Sequence, residues 1–346
     1  MSTISVGVSG GIDSAATVLI LKNRGYDIKG VTFKTLSDTT HDSSSILAEK
    51  LGIEIEEVDI STHFKEAIID PFCNAYIEGL TPSPCVECNC SIKWEVIKNH
   101  ALSHNATHWA TGHYAQITKI DSLLYITKGV DELKDQSYYL WKLSQETLKG
   151  CVMPLGGSTK RDIIKMVSQS NIDYLTSKSE SMGVCFLGKG GYKELLKNEY
   201  PDVSKLNGGL IVDRNSNILG HHEGYPFYTL AQRKGLPINK PLCVVEINRN
   251  ENLIVVGERD ELYSDSFFIR DYSFVAIDEA IYSRELTVKV RGIGDNPTGY
   301  CTIEILSKTQ IFVRLLSDKA WALTAGQPVV FYIGDRVVGG GYIARM

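Results

Sequence analysis

The chain is predicted to fold as an α/β protein: a parallel-sheet domain, a small helical and central part, then a C-terminal β-barrel. Three observations predict this. Short apolar runs alternate with amphipathic stretches up to about residue 114. The first run breaks at a glycine-rich turn that opens a helix. Beyond Gly208 the apolar period changes to two. Alternation of the first kind builds βαβ units around a parallel sheet, and many short period-two runs build a barrel or sandwich.

Taken in order, Ile4–Val8 reads as a strand, Ser9-Gly10-Gly11 as its break, and Asp13 to Arg24 as a helix closed by Gly25. Residues 28–33 and 54–60 read as strands, with helices over 43–51 and 61–76. Residues 79–90, rich in Pro and Cys, read as a loop. Residues 92–104 read as a helix and 107–111 as a buried strand. The stretch 144–204 reads as mainly helical, with a loop around 176–190. Period-two strands follow at 242–247, 253–256, 286–290, 311–315, 329–333 and 337–343. The expected domains are 1–140, 141–204 (carrying Cys185), 205–265 and 266–346.

The 346 residues are 43% hydrophobic and 22% charged, ordinary globular composition. No apolar run approaches the ~20 residues of a membrane helix, and Met1-Ser2-Thr3-Ile4-Ser5 lacks the basic and apolar regions of a secretion signal. A cytoplasmic protein with no membrane partner is expected. The net charge of −5 is unevenly founded. Residues 1–204 hold 18 Lys and 2 Arg against 25 acids, whereas residues 205–346 hold 6 Lys and 10 Arg against 16. The shift from Lys to Arg marks a boundary near 205 and leaves room for a local basic patch.

Gly7-Val8-Ser9-Gly10-Gly11-Ile12-Asp13-Ser14 is the first chemical signal. A glycine-rich turn between strand and helix lets backbone N–H groups reach an anion at the helix N-terminus. The glycines do not fit G-x-G-x-x-G, and the G-K-[ST] of a Walker A loop is absent. Asp13 is a helix cap or a group that positions phosphate or Mg²⁺.

The second signal is Thr81-Pro82-Ser83-Pro84-Cys85-Val86-Glu87-Cys88-Asn89-Cys90. Two prolines stiffen the approach. Cys88, placed just before a helix starting near Ile92, is expected to have its thiol pKa lowered by the helix N-terminus. A zinc site would need two ligands beyond this C-x-x-C, and no second C-x-x-C or H-x-x-x-H is expected in the chain to supply them. Cys185, between Gly183 and Gly188, is the third signal. Cys73, Cys151, Cys243 and Cys301 sit among apolar neighbours and read as small buried hydrophobes.

These blocks together resemble the tRNA-specific 2-thiouridylase family of the ATP pyrophosphatase (PP-loop) superfamily. The resemblance runs from Gly7 to the C-terminus. It takes in T-P-x-P-C-x-x-C-N-x-x-I-K-[FW] at 81–94, Ala110-Thr111-Gly112-His113-Tyr114, Lys134-Asp135-Gln136-Ser137-Tyr138, the segment around Cys185, Gly220–Gly224, Gln232–Leu236, Gly326-Gln327 and Gly339–Gly341. It implies a PP-loop ATPase domain that takes ATP with Mg²⁺. The ATP site would comprise Gly7, Val8, Ser9, Gly10, Gly11, Ile12, Asp13, Ser14, Phe33 and Gly112.

The resemblance further implies that ATP adenylates the C2 oxygen of a wobble uridine. A persulfide-carrying donor protein loads Cys185, Cys88 acts as nucleophile, and a Cys88–Cys185 disulfide results. Ser83, Pro84, Cys85, His113, Lys134, Asp135, Gln136, Arg291, Gly292 and Gln327 match positions that contact tRNA. An alternative makes Cys85, Cys88 and Cys185 the ligands of a [4Fe-4S] cluster. This chain departs from the family pattern at Ser83 (usually Asn), Ala231 (usually Gly), Cys85 (often Asp), a short 35–45 segment, the approach 179–183 to Cys185, and 189–191, which lacks the usual Arg.

Overall fold

The computed structural model describes residues 2–35, 41–177 and 183–345. The chain divides into two compact units. The first comprises Met1–Ile68, Cys85–Phe186 and Asp335–Val338; the second comprises Ile69–Pro84, Leu187–Gly334 and Gly339–Met346.

In the first unit, β1 (Thr3–Gly7), α1 (Ile12–Asn23), β2 (Asp27–Lys34), α2 (His41–Leu51) and β3 (Glu54–Asp59) alternate as expected. The expected single helix over 61–76 is instead α3 (Ser61–Phe64), a wider π turn over Lys65–Ile69, and α4 (Asp70–Ile77), which opens the second unit. The helix resumes with α5 (Pro84–Glu87), passes through a π segment over Cys88–Lys93 and continues as α6 (Trp94–Ser103). The expected loop over 79–90 is therefore helical from Pro84. Proline at a first helical position loses no hydrogen bond, since that N–H has no partner in any helix.

β4 (His108–Ala110), the hairpin β5 (Ala115–Ile120) and β6 (Leu123–Lys128), α7 (Gln145–Gly150), β7 (Cys151–Val152) and α8 (Lys160–Ser168) complete this unit. The hairpin and β7 were not anticipated. The parallel sheet has the order β3-β2-β1-β4-β7. Its core includes Ile4, Val6, Ala15, Val18, Leu21, Leu155, Ile163 and Val167, all nearly water-free. The order reverses between β1 and β4, and the crevice at the carboxyl ends of such strands is where open α/β sheets bind ligands.

In the second unit, α9 (Gly191–Glu199) precedes β8 (Gly209–Val212), β9 (Ile218–His222), β10 (Cys243–Asn248) and β11 (Leu253–Gly257). These four pair in the order β10-β11-β8-β9 over a small core of Val212, Cys243, Val245 and Val255. Next come β12 (Tyr263–Ser264), β13 (Ser266–Phe274), α10 (Ile277–Tyr282), β14 (Leu286–Lys289), β15 (Cys301–Ser307), β16 (Gln310–Leu315), β17 (Ala320–Trp321), β18 (Pro328–Ile333) and β19 (Arg336–Ile343). Six of them run β14-β18-β19-β13-β16-β15. A bridge between Thr287 and Tyr300 joins the two ends, so the sheet curls into a barrel and its edges are removed. Val329, Val330, Phe331, Ile311 and Val313 of its strands are all fully buried. Among the described residues no helix is long and apolar enough to cross a membrane.

Candidate active site

The glycine-rich loop leaves β1 at the sheet's switch point. Gly10 has a φ of 74°, a left-handed conformation that glycine adopts without a Cβ penalty. Gly11 caps α1, and its carbonyl accepts the first helical bond, from Ala15 N at 3.1 Å. Ser14 Oγ donates to that same carbonyl at 2.9 Å and accepts from Ser9 N at 3.2 Å and Ser9 Oγ at 3.3 Å. The two hydroxyls thus lock the loop's curvature and leave the helix N-terminus directed at the switch point. This suits an anion.

Gly112, just after β4, closes on this loop. A Cβ there would stand 2.9 Å from both the carbonyl carbon and the carbonyl oxygen of Asp13. The wall of the crevice is therefore backbone packed on backbone. Phe33, near the carboxyl end of β2, is half-buried.

Asp13 is more than a cap. Its Oδ1 accepts from Lys160 Nζ at 2.7 Å and from Tyr114 Oη at 2.7 Å. Lys160 is the first residue of α8, whose start is fixed by a Thr159–Asp162 capping box. Lys160 N donates to Asp131 Oδ2 at 2.8 Å, and its ammonium lies 5.8 Å from the centre of the Tyr114 ring. Sequence reading missed both Lys160 and Tyr114. Tyr114 stood inside a quoted block, but Lys160 is 147 residues from Asp13 and carries no local signal.

The cysteine loop differs from expectation. Cys88 lies within a continuous helical run, buried, and burial pushes its thiol up to about 11. The expected lowering fails because Pro84, not Ile92, begins the helix: Cys88 is past the first turn and the apolar surroundings dominate. Burial also raises Cys85. The Lys93 ammonium draws both thiols back down, and both feel the Cys185 thiol. Three thiols and one cation thus share one neighbourhood. Cys185 is exposed, and its neighbour Phe186 meets Phe64 edge-on at 5.7 Å. None of the eight cysteines is joined in a disulfide. Cys73, Cys243 and Cys301 are buried as expected, while Cys151 is half-buried at the start of β7.

Of the other first-unit positions, His113 is buried, stacked on Trp94 at 5.9 Å and within 2.6 Å of Thr111 Oγ1. Burial, with the Lys93 charge, lowers its pKa to about 3, so it is a neutral imidazole. Asp135 accepts from Gly129 N at 3.2 Å, Ser137 N at 3.0 Å and Ser137 Oγ at 2.9 Å. Gln136 Oε1 accepts from Tyr114 N at 2.9 Å. These two side chains shape the 129–137 loop and hold the segment that carries Tyr114. Lys134, half-buried, sits in the turn between them and Asp131. The segments 36–40 and 178–182, where two family departures fall, lie outside the described residues.

Ser83, Pro84, Arg291, Gly292 and Gln327 belong to the second unit. Gln327 Nε2 donates to Thr81 O at 2.8 Å, and Thr81 Oγ1 lies 2.7 Å from Thr229 Oγ1, so Gln327 anchors the strand of chain leading to Ser83. The Arg291 guanidinium donates to the carbonyls of Trp321 and Ala322 and lies over the Trp321 ring at 5.4 Å. With Arg233 and Lys234 it lines an open cleft of about 420 Å³. Three cations beside an indole face form a surface that suits nucleic acid.

Comparison with known proteins agrees along the whole chain. Three family models match in succession: the tRNA methyl transferase HUP domain over residues 2–189, its PRC-barrel domain over 194–258, and the aminomethyltransferase β-barrel domain over 264–343. The tRNA-specific 2-thiouridylase MnmA 3 of Phocaeicola vulgatus is 36% identical over 99% of this chain and 94% of its own length. The protein of the same name from Bacteroides fragilis is 37% identical over 99% and 94%. The tRNA-specific 2-thiouridylase MnmA of Rickettsia typhi is 36% identical over 100% and 99%. With a glycine-rich loop at the switch point, a shared thiol neighbourhood and full-length likeness of this order, the chain belongs to the tRNA-specific 2-thiouridylase family.

Proposed function

We propose that this chain is an ATP-dependent sulfurtransferase that replaces the C2 oxygen of the tRNA wobble uridine with sulfur. The observation that carries the reading is that one compact unit holds both an anion-binding loop at the end of β1 and the thiols of Cys85, Cys88 and Cys185. Methyl transfer, which the family-model names suggest, would leave three neighbouring thiols without a task.

The chemistry follows from the groups present. Residues 7–14 hold the phosphates of ATP, and Phe33 and Gly112 wall the nucleotide site. The uridine C2 oxygen attacks the α-phosphorus, pyrophosphate leaves, and the oxygen becomes part of an AMP leaving group. The terminal sulfur of a Cys185 persulfide attacks C2 and AMP departs. Cys88 then attacks the Cys185 sulfur, releasing 2-thiouridine and leaving a Cys88–Cys185 disulfide, which an external thiol reduces. Cys185 is exposed, as loading by a separate sulfur-donor protein requires. Cys88 is buried and protonated at rest, so it is protected from premature oxidation until Lys93 and the incoming substrate favour its thiolate.

A magnesium ion bound with ATP would supply charge neutralisation on the phosphates. Asp13 would help hold such an ion, and its Oδ1 already accepts from Tyr114 Oη and Lys160 Nζ. Pro84, Cys85 and Ser83 meet the target base, which is flipped out because C2 of a stacked base is hard to reach. His113, Lys134, Asp135, Gln136, Arg291, Gly292 and Gln327 belong to the tRNA-contacting set, some through the loops they shape. The cytoplasm, where tRNA and ATP meet, is the compartment.

A second reading has its own observation: Cys85 shares the neighbourhood of Cys88 and Cys185. Three cysteines fit the ligation of a [4Fe-4S] cluster with one open iron. Anaerobic purification with iron and sulfide analysis separates the readings, since the persulfide route requires neither.

The test is thiolation in vitro with ATP, a persulfide donor and unmodified tRNA, followed by nucleoside mass spectrometry. 2-Thiouridine forms with the wild type and not with Cys185→Ser. Undiminished product from Cys185→Ser or Cys88→Ser overturns the mechanism, and absence of any thiolated nucleoside overturns the function.

A further inference from the structure

We propose that Glu56, His100 and His104 form a binding site for a divalent transition-metal ion of the zinc class. Their ligand atoms lie within 4.8 Å of one another. Glu56 Oε2 stands 3.3 Å from His100 Nε2 and 3.8 Å from His104 Nε2. Ligand atoms around a tetrahedral zinc, at bonds of about 2.0–2.1 Å, stand about 3.3 Å apart. The gap therefore needs only a small adjustment to hold an ion.

The spacing has a sequence origin. His100 and His104 form an H-x-x-x-H pair, which corrects the expectation that the chain holds none. His100 lies in the last turn of α6 and His104, four residues on, caps its C-terminus, so that their rings lie 4.4 Å apart. Glu56 comes from β3, the edge strand of the parallel sheet.

The outer contacts are those of metal-bound histidines. His104 Nδ1 is 2.9 Å from the His100 carbonyl oxygen, which can only accept. Nδ1 of His104 therefore donates, which leaves Nε2 turned to Glu56 Oε2 at 3.8 Å, where a proton or a metal ion can lie between the two. His100 Nδ1 is 2.6 Å from Ser5 Oγ, a fully buried hydroxyl on β1 able to accept its proton. A ring nitrogen anchored to a carbonyl or hydroxyl is what orients a histidine ligand.

Two histidines and one carboxylate leave a fourth position for water. Twelve residues separate Cys88 from His100, roughly 18 Å along a helix at 1.5 Å per residue. The ion thus stands apart from the thiols. It clamps the far end of the helical run that carries Cys88 against the sheet's edge strand.

The test uses the full chain stripped of metal and titrated with zinc chloride by calorimetry, with cobalt(II) absorption as a second readout. One equivalent binds the wild type and raises its unfolding temperature. Glu56→Gln, at an exposed side chain, and His104→Ala, at a half-buried one, keep the circular dichroism spectrum and weaken zinc binding by about tenfold or more. The cobalt complex shows no thiolate charge-transfer band. Binding unchanged in both variants, binding that vanishes when thiols are blocked, or no binding at all overturns the proposal. None of these readouts depends on thiolation.

Discussion

Lys160 reaches back across the first unit to place its ammonium 2.7 Å from the Asp13 carboxylate, making the glycine-rich loop depend on a helix start 147 residues away. Tyr114 completes the clamp from the segment after β4. Charge-assisted bonds of this kind are stronger than neutral ones, and here they fix a group at the mouth of an anion site. Lys160→Met should raise the KM for ATP by about tenfold or more. Tyr114→Phe removes one hydrogen bond and should cost about 1 kcal/mol of stability. ATP–pyrophosphate exchange and urea denaturation of the two variants check this. Unchanged exchange in Lys160→Met would remove Lys160 from the nucleotide site.

Gly112→Ala tests the backbone contact directly. The added methyl would meet the Asp13 carbonyl at 2.9 Å, and backbone cannot swing aside as a side chain can. Overpacking of this sort costs about 1–3 kcal/mol. ATP affinity should drop by about tenfold or more, and nucleotide-dependent thermal stabilisation should shrink. Wild-type ATP binding in this variant would mean that the crevice wall is softer than its packing implies.

Thiol chemistry should separate Cys88 from Cys185 by pH. A thiol pushed up to about 11 is protonated across the neutral range, and its thiolate fraction grows as pH rises. Alkylation at Cys88 should therefore accelerate about tenfold per unit between pH 7 and pH 10. Exposed Cys185 should be modified first. Peptide mass spectrometry after timed iodoacetamide treatment reads both rates. Rapid, pH-independent labelling of Cys88 near neutrality would show that Lys93 outweighs burial.

Ala231 occupies a place where relatives of this family usually have glycine, and its φ of 66° explains why they do. Its N–H donates to Val244 O at 2.8 Å, and Val244 N donates to Gln232 O at 3.0 Å, so the turn cannot relax. Alanine in this region costs about 1–2 kcal/mol. Glycine recovers that but gains about 0.4–1 kcal/mol of unfolded-chain entropy. Ala231→Gly should thus stabilise the chain by about 0.5–1 kcal/mol. The urea midpoint measures it, and a lowered midpoint would contradict the strain.

Legibility in the sequence varied with the range of the signal. The strand, loop and helix at 4–24 were readable because glycine freedom, capping and apolar periodicity all act within a few residues. The start of the cysteine helix was misplaced because Pro84, taken as a loop stiffener, is equally at home in a first helical turn. The hairpin over Ala115–Lys128 escaped notice because its outward side chains dilute the alternation.

By itself the sequence determined the local chemistry: a phosphate-type loop, presented cysteines, a parallel sheet followed by a barrel, and membership of a family. Only the tertiary structure decided the electrostatic setting of those groups. Burial turned Cys88 from an expected thiolate into a protected thiol, Lys160 took hold of Asp13, and Glu56 came to face two histidines. Each outcome depends on desolvation and on contacts between segments far apart in the chain, quantities that no run of neighbouring residues encodes.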